Sequence, residues 1–142
     1  MSDKKLTSKE YLSRAFRVEQ RINNKLEQVQ ALRALAEKTA SILLCTANAK
    51  NASPHRMGEA IAKMVDLEAE INIDIKSLVD LKTETVTVIK CVKPIELRTL
   101  LEMRYLNFKT WEQIADDMGY DLRWVYRLHG KALSEVDVIR HC

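Results

Sequence analysis

The residues best suited to chemistry in this sequence are Arg123, Tyr126 and Arg127, which are spaced three and four apart. Side chains at that spacing share one face of an α-helix. Arginine can donate two hydrogen bonds to the edge of guanine, tyrosine can reach a phosphate or pack on a thymine methyl group, and lysine can neutralise a phosphate. With Lys131 further along the same segment, the pattern predicts a helix that binds double-stranded DNA.

The positive charge of this segment is local. The chain carries a net charge of +3, but residues 94–142 contain slightly more acidic than basic side chains. Within them, all the charged side chains of residues 122–131 are basic. We therefore expect Asp116, Asp117 and Asp121 to point away from DNA or to cap a helix, because like charges repel. The alternative interpretation of the basic side chains is an ordinary solvated helix face.

A sharp turn at Gly119 would position this helix. Helical patterns cover about 111–118 and about 122–139, and glycine adopts without penalty the left-handed conformation that such a turn needs. Ala115 is small enough for the two helices to cross closely, which is the helix-turn-helix arrangement. The residues predicted to be buried in it are Ile114, Ala115, Met118, Val125, Leu128 and either Ala132 or Leu133.

Capping signals mark where helices begin. Thr7 with Glu10 and Thr110 with Gln113 fit the capping box, in which each side chain bonds the other residue's backbone N–H. Asp121 can cap the last helix. Because Thr110 stands at the amino end of its helix, it can also lie near the DNA backbone, and it is one of the predicted DNA contacts.

The sequence pair Lys93-Pro94 is the clearest domain boundary. Proline disfavours helical geometry at the residue before it and suits the first turn of a new helix. We predict a helical hairpin over residues 1–93 and a helix-turn-helix DNA-binding domain over residues 94–142, whose first helix covers about 95–106. The inward residues of that helix are predicted to be Leu97, Leu100, Leu101 and Tyr105.

The hairpin consists of two long predicted helices, at about 8–45 and 54–92, in which apolar residues recur at steps of three and four. Similar lengths and the short connection 46–53 predict an antiparallel pair. Residues 83–92 alternate and are β-branched, which also suits an extended chain, but we predict helix there. The apolar frames run through Ala15, Val18, Ile22, Val29, Leu32, Ala36 and Leu43, and through Met57, Ile61, Met64, Ile71, Ile75, Leu78 and Ile89.

Further apolar residues, among them Leu26, Leu35 and Ile42, widen the stripe on the first helix. Because a two-helix pair covers only one side of each helix, this width predicts a homo-oligomer that forms through the hairpin. Basic residues of the same helix, such as Arg17 and Arg21, could contact the phosphates of a nucleic acid or bind an acidic partner. More often such a run is the solvated side of an amphipathic helix.

Composition favours an all-α fold, because only three glycines and two prolines occur among 142 residues. No apolar window is long enough to span a bilayer, and the charged amino terminus has no signal-peptide pattern, so we expect a cytoplasmic protein with no membrane partner. Cys45, Cys91 and Cys142 are far apart and odd in number, which suits reduced thiols.

Catalytic and cofactor motifs are missing from the sequence: it has no serine-histidine-acid set, no phosphate-binding glycine loop and no metal-ligand spacing. We therefore expect no enzymatic activity, no cofactor and no metal. His129 could touch a phosphate, although a lone histidine on a helix is more often solvated. Trp111 and Trp124 could each close a small three-helix core, and we favour this for Trp111.

The segment TWEQIADDMGYDLRWVYRLHGKALSEV, residues 110–136, resembles without gaps the helix-turn-helix with which bacterial sigma factors read the −35 promoter element. The shared features are the first threonine, E-x-I-A, the turn, V-x-x-L and K-A-L. With LRTLLEMRYLNFKTWEQIA overlapping its start and a long helical amino-terminal half, the whole chain resembles the sigma-like phage regulators of Gram-positive bacteria, including the ArpU-type late-gene transcription regulators.

The resemblance implies DNA contacts at Leu122, Arg123, Trp124, Tyr126 and Arg127. Sigma domains usually have threonine or serine at the position of Asp121 and polar residues along the reading face. Leu122, Trp124 and Tyr126 depart from that pattern, so the target need not be a −35 element.

These observations together predict a phage or prophage regulator that binds double-stranded DNA sequence-specifically. Its hairpin would mediate oligomerisation or contact the host RNA polymerase. One alternative is a DNA-packaging subunit similar to the small subunit of phage terminases, which can also join a helix-turn-helix to an oligomerising hairpin. The other is a protein-interaction module whose helix-turn-helix never touches DNA.

Overall fold

A computed structural model describes residues 6–45 and 54–141, and within them the regular secondary structure is entirely α-helical. The predicted all-α fold class is confirmed. The predicted connection 46–53 lies outside the described residues. The helices are α1 Ser8–Leu12, α2 Arg14–Cys45, α3 Pro54–Lys90, α4 Ile95–Tyr105, α5 Trp111–Met118 and α6 Leu122–Arg140.

The first predicted helix is interrupted at Ser13, which separates α1 from α2. The Ser13 hydroxyl and backbone N–H both donate to the Lys9 carbonyl, at 2.7 and 3.0 Å. Only half of the predicted capping box forms. Thr7 Oγ1 accepts from the Glu10 N–H at 3.2 Å, while the Glu10 carboxylate accepts from the Thr7 hydroxyl rather than from its backbone.

The chain divides into two compact units, one made of residues 1–17 and 78–142 and the other of residues 18–77. The unit that holds α4, α5 and α6 therefore also takes in both ends of the predicted hairpin. This division differs from the predicted boundary at residue 93. The cause is the core: Leu12 of α1 and Ile89 of α3 are as fully buried as Leu100 of α4.

The core of the first unit is built mainly from α4, α5 and α6. The predicted inward residues of α4 are all buried, and Ile114, Val125 and Val136 have no exposed surface. Each fully buried aliphatic side chain of this size contributes roughly 1.5–3 kcal/mol relative to its exposed state. The inward residues confirmed on α4 are Leu97, Leu100, Leu101 and Tyr105.

Polar contacts hold α1 in this unit. The Ser8 hydroxyl donates to the Asp137 carboxylate on α6, and the Arg140 guanidinium lies 4.4 Å from the ring centroid of Tyr11. The Tyr11 hydroxyl donates to Glu84 on α3 at 2.6 Å. Burial, together with this hydrogen bond, raises the pKa of Tyr11 to about 12.

In the second unit α2 and α3 run in opposite directions. Lys25 Nζ lies 2.7 Å from Asp74 Oδ2 and 3.4 Å from Glu70 Oε1, and further along α2 the side chain of Leu32 shares a groove with Lys63. The apolar frame predicted for α2 is buried at Val18, Ile22, Val29 and Ala36. The pair is therefore antiparallel, with a charged contact inside its apolar seam.

The frame predicted for α3 is wrong at two positions. Ile61 and Ile75 are 42% and 44% exposed, whereas Ala60 is buried and Asp74 pairs with Lys25 of α2. At these two positions the residue one step towards the amino terminus is the more buried one, while Ile71 of the predicted frame is buried as predicted. Residues 83–90 are helical as predicted.

None of the helices within residues 6–45 and 54–141 combines the length and the apolar character that crossing a membrane requires.

Candidate nucleic-acid interface

The capping box at Thr110 fixes the start of α5. Thr110 Oγ1 accepts from the Gln113 N–H at 3.2 Å, and Gln113 Oε1 accepts from the Thr110 N–H at 3.0 Å. Both halves of the predicted box are present. Thr110 is exposed at this amino end, so its hydroxyl proton can still be donated to an outside acceptor.

A left-handed residue turns the chain between α5 and α6. Gly119 has φ 72° and ψ 32°, and its N–H lies 3.3 Å from the Asp116 carbonyl, while the Tyr120 N–H donates to Ala115 at 3.0 Å. These two bonds close the carboxyl end of α5 as a Schellman motif. Asp121 Oδ1 then accepts from the Trp124 N–H at 2.7 Å and begins α6. The predicted turn and cap are observed.

The turn gives a first test of the local structure. Replacing Gly119 by alanine is expected to lower the free energy of unfolding by about 1–2 kcal/mol, because a Cβ is strained at positive φ. Chemical denaturation followed by circular dichroism measures this. Gly119→Asn is the matched variant and should cost less, since asparagine tolerates the left-handed region. Equal stability of the alanine variant and the wild type would contradict the turn.

One face of α6 belongs to the core and the other to the surface. Val125, Leu128 and Ala132 are 0–3% exposed, as predicted. On the opposite face Arg123 and Arg127 are exposed, and neither guanidinium has a hydrogen-bond or ion-pair partner among the described residues. Two unpaired guanidiniums one turn apart can therefore bind an anionic or hydrogen-bond-accepting surface outside the chain.

The other predicted contacts lie on two flanks of this arginine pair. Leu122 and Tyr126 line a shallow concavity together with Arg123 and Arg127. Helical periodicity places Trp124 and Lys131 on the opposite flank, where Lys131 Nζ lies 5.4 Å from the Trp124 ring centroid. The structure thus brings the predicted α6 residues onto one outward surface, with the two arginines along its middle and an aromatic ring on each side.

Trp111 and Trp124 differ in their surroundings. Trp111 is half-buried, with the Arg104 guanidinium 4.4 Å from its ring centroid and the His129 ring 4.5 Å away. Trp124 is 36% exposed, meets the edge of Tyr120 at 6.4 Å between centroids, and otherwise has Lys131 Nζ beside its ring. Trp111 therefore closes the three-helix unit, as favoured from sequence, and its 5.5 Å edge contact supports the ring of Tyr126.

His129 was expected to be solvated or to touch a phosphate, and this expectation is wrong. The side chain is 8% exposed, and its Nε2 lies 2.6 Å from the Tyr105 hydroxyl. Burial lowers the pKa of His129 to about 4, and the positive charges of Lys9 and Arg104 act in the same direction. His129 is thus a neutral core residue beneath the outward face. Its proximity in space to Tyr105 and Trp111 has no signal in the sequence.

The lowered pKa of His129 makes stability pH-dependent. Its folded pKa of about 4 lies below the unfolded value of about 6.5, so the unfolded chain binds a proton that the folded chain does not. The contribution of the neutral ring is complete above about pH 6.5 and is lost as the pH falls towards 4, by at most about 1.4 kcal/mol per pH unit.

Denaturation midpoints measured at several pH values test this dependence. Other groups also titrate in this range, so the matched variant is His129→Gln, which removes the ionisable ring. We expect the wild type to lose more unfolding free energy than the variant between pH 6.5 and 4. Parallel curves for the two proteins would show that His129 is not held neutral by the fold.

Three acidic residues near this surface are engaged within the chain. Asp117 Oδ2 lies 2.5 Å from Lys109 Nζ, and Asp121 caps α6. Glu96 accepts from the Tyr120 hydroxyl, which raises the pKa of that tyrosine. Of the three acids expected to point away from DNA or to cap a helix, Asp121 caps α6 as predicted, Asp117 is paired within the chain, and Asp116 is exposed.

The geometry of the α6 face suits an anionic, hydrogen-bond-accepting partner. No family model, curated protein or solved structure matches the chain. Within residues 6–45 and 54–141, no three histidine, cysteine or acidic side chains are grouped as metal ligands would be. The interpretation of the α6 face therefore depends on its own residues and geometry alone.

Proposed function

We propose that the chain is a sequence-specific DNA-binding transcription regulator of a phage or prophage, with α5 and α6 as its helix-turn-helix. In this arrangement the outward face and first turn of α6 enter the major groove, which is wide enough to admit a helix. It acts in the cytoplasm of the bacterial host as a binding protein, not as an enzyme. The assignment to phage late genes is supported by the resemblance to sigma-like regulators alone.

The observation that carries the proposal is the unpaired arginine pair on α6. Arg123 and Arg127 project from a helix whose other face is fully buried, so their positions are fixed by the core. Bidentate bonds from arginine to guanine are the commonest specific contact in the major groove. Lys131 and Thr110 stand where phosphate contacts would set the orientation of the helix.

The hairpin supplies the second half of the proposal. A single reading helix contacts few base pairs, and helix-turn-helix proteins commonly bind two half-sites as dimers. We propose that the chain is a homo-oligomer through α2 and α3, and that the host RNA polymerase is a further partner of the bound complex.

Selection of bound duplexes from a random pool tests the function. We expect a defined sequence to be enriched, and its association constant to fall with salt with a slope near −0.9 for each phosphate contacted. Equal binding to all duplexes would contradict specific recognition. Retention on DNA at physiological salt would exclude a pure protein-interaction module.

A different measurement distinguishes the DNA-packaging subunit from the transcription regulator. A ring-shaped assembly in solution that stimulates a packaging ATPase would select it. A dimer that binds one promoter-proximal sequence and changes transcription from it in vitro would select the regulator.

A further inference from the structure

The second compact unit buries few apolar side chains. Two helices that pack only on each other cover one side of each, and small helical units usually need further helices or association to complete a core. Leu35, Val65 and Ile73 are each more than half exposed. The buried apolar side chains in the described part of residues 18–77 are Val18, Ile22, Val29, Ala36, Ala60 and Ile71.

A second stripe runs along α3, outside the face that meets α2. Its six positions recur at steps of four, three, four, three and four residues, so they share one side of the helix. The four apolar members are 42%, 58%, 44% and 56% exposed in chain order. We call these residues the α3 stripe: Ile61, Val65, Glu68, Asn72, Ile75 and Val79.

The α3 stripe has the same spacing and the same order of apolar and polar residues in both chain directions. Its spacing is symmetric, and its chemistry is two apolar residues, two polar residues and two apolar residues. A second copy of the stripe running antiparallel would place Ile61 opposite Val79 and Val65 opposite Ile75 of the other copy. A stripe with this symmetry is complementary to itself, as a two-fold interface requires.

The polar centre fixes the direction of the pairing. In the antiparallel arrangement the Glu68 carboxylate faces the Asn72 amide of the second copy, which can donate to it on both sides of the two-fold axis. In a parallel arrangement Glu68 would face Glu68, and the like charges would repel. The same two residues also line a groove with Arg33 of α2, whose guanidinium has no partner among the described residues and is complementary to Glu68.

We propose that the α3 stripe is the surface on which two copies of the chain pair, α3 against α3 and antiparallel, to form a four-helix bundle. We assign a second copy of the chain as the partner because the α3 stripe is complementary to itself. Binding to a different protein would not require that self-complementarity. This inference deepens the self-association in the proposed function. Its test uses no DNA, so its failure is distinguishable from failure of DNA recognition.

Charged substitutions in the stripe test its location. In the full-length chain, Val65→Glu and Ile75→Glu are expected to raise the dimer dissociation constant by about 100-fold or more, since each places two carboxylates in an apolar contact. Sedimentation equilibrium over a range of concentrations measures this. Ile73→Glu is the matched control: it lies on the same helix and is more exposed, at 71%, but outside the stripe.

Three results would overturn the location. One is a wild-type chain that stays monomeric at about 100 μM, a concentration well above the micromolar range of moderate affinity. Another is a dimer that survives both stripe variants. The third is equal dissociation by Ile73→Glu, because the loss would then follow from added charge alone.

Charge at the centre tests the facing of Glu68 and Asn72. Asn72→Glu is expected to dissociate the dimer, because four carboxylates would meet at the axis. Asn72→Lys is expected to preserve or tighten it, because each lysine would face a glutamate of the other copy. The reverse order of affinities would contradict the antiparallel pairing.

Disulfide trapping tests the direction independently. In a chain whose native cysteines are replaced by serine, Val65→Cys and Ile75→Cys are made as separate proteins. Oxidation should cross-link them only when they are mixed, since two copies of residue 65 would be offset by about 15 Å along the antiparallel helices. Cross-linking of Val65→Cys with itself would indicate a parallel pair and overturn the proposal.

Discussion

Replacing Arg123 and Arg127 together by alanine is expected to weaken binding to the selected duplex by about 100-fold or more, because a good arginine contact to a base is worth about 1–3 kcal/mol. Both side chains are exposed and unpaired in the described part of the chain, so their removal should leave the unfolding free energy almost unchanged. The Arg127→Ala single variant should lose about 1–3 kcal/mol and discriminate less between sequences. Fluorescence anisotropy on the selected and on scrambled duplexes measures both effects.

The chain provides a matched control for the arginine pair. Arg17 and Arg21 on α2 are also exposed and also four residues apart, so Arg17→Ala with Arg21→Ala removes the same charge at the same spacing. We expect a small loss of affinity that is equal for all duplexes and disappears at high salt. If this control lost as much specific affinity as the α6 variant, the binding would come from net charge and the α6 face would have no special role.

The turn that presents these arginines could be predicted because its signals are local. Thr110, Gly119 and Asp121 act on backbone groups within three or four residues of themselves, and each forms the bond or conformation that its type favours. The buried face of α6 follows for the same reason, since a 3.6-residue period decides which side chains share a face. The outward positions of Arg123 and Arg127 could therefore be inferred without coordinates.

The long-range features could not be predicted in this way. His129 is buried because Tyr105 and Trp111, distant in sequence, meet it in space. The break at Ser13 could not be read from its residue type, because Thr39 and Thr85 make the same hydroxyl bond to the carbonyl four residues back inside unbroken helices. On α3, Ala60 is buried and Asp74 pairs with Lys25 where the neighbouring apolar residues Ile61 and Ile75 were predicted to face inward, and a polar partner on another helix has no signal in the periodicity. Ile61 and Ile75, the two residues of the predicted frame that are exposed, both belong to the α3 stripe.

Gly130 provides the second large expected effect, because nothing within the described part of the chain calls for a glycine there. It lies three residues after Arg127 in the middle of α6, is exposed, and a Cβ built on it would meet no atom within 4 Å. Glycine inside a helix costs about 1 kcal/mol relative to alanine. If α6 enters DNA as proposed, a glycine at this point of the outward face lets the helix backbone approach its partner closely.

Stability and DNA affinity should therefore change in opposite directions at this position. Gly130→Ala is expected to raise the free energy of unfolding by about 1 kcal/mol and to weaken specific binding about tenfold, as the added methyl group keeps α6 from its closest approach. Gly130→Glu should weaken binding by about 100-fold or more, because it adds bulk and a negative charge facing phosphate. Denaturation and anisotropy on the same preparations measure the two quantities.

The matched control is Gly58→Ala on α3, where glycine is also helical and exposed and a Cβ would also meet nothing within 4 Å. This variant should gain comparable stability and bind the selected duplex as the wild type does. A Gly130→Ala protein that is stabilised and still binds with wild-type affinity would show that α6 does not approach DNA at Gly130. Because added helix stability alone cannot weaken an exposed contact, loss of affinity in that variant and not in Gly58→Ala would place the DNA backbone against this turn of α6.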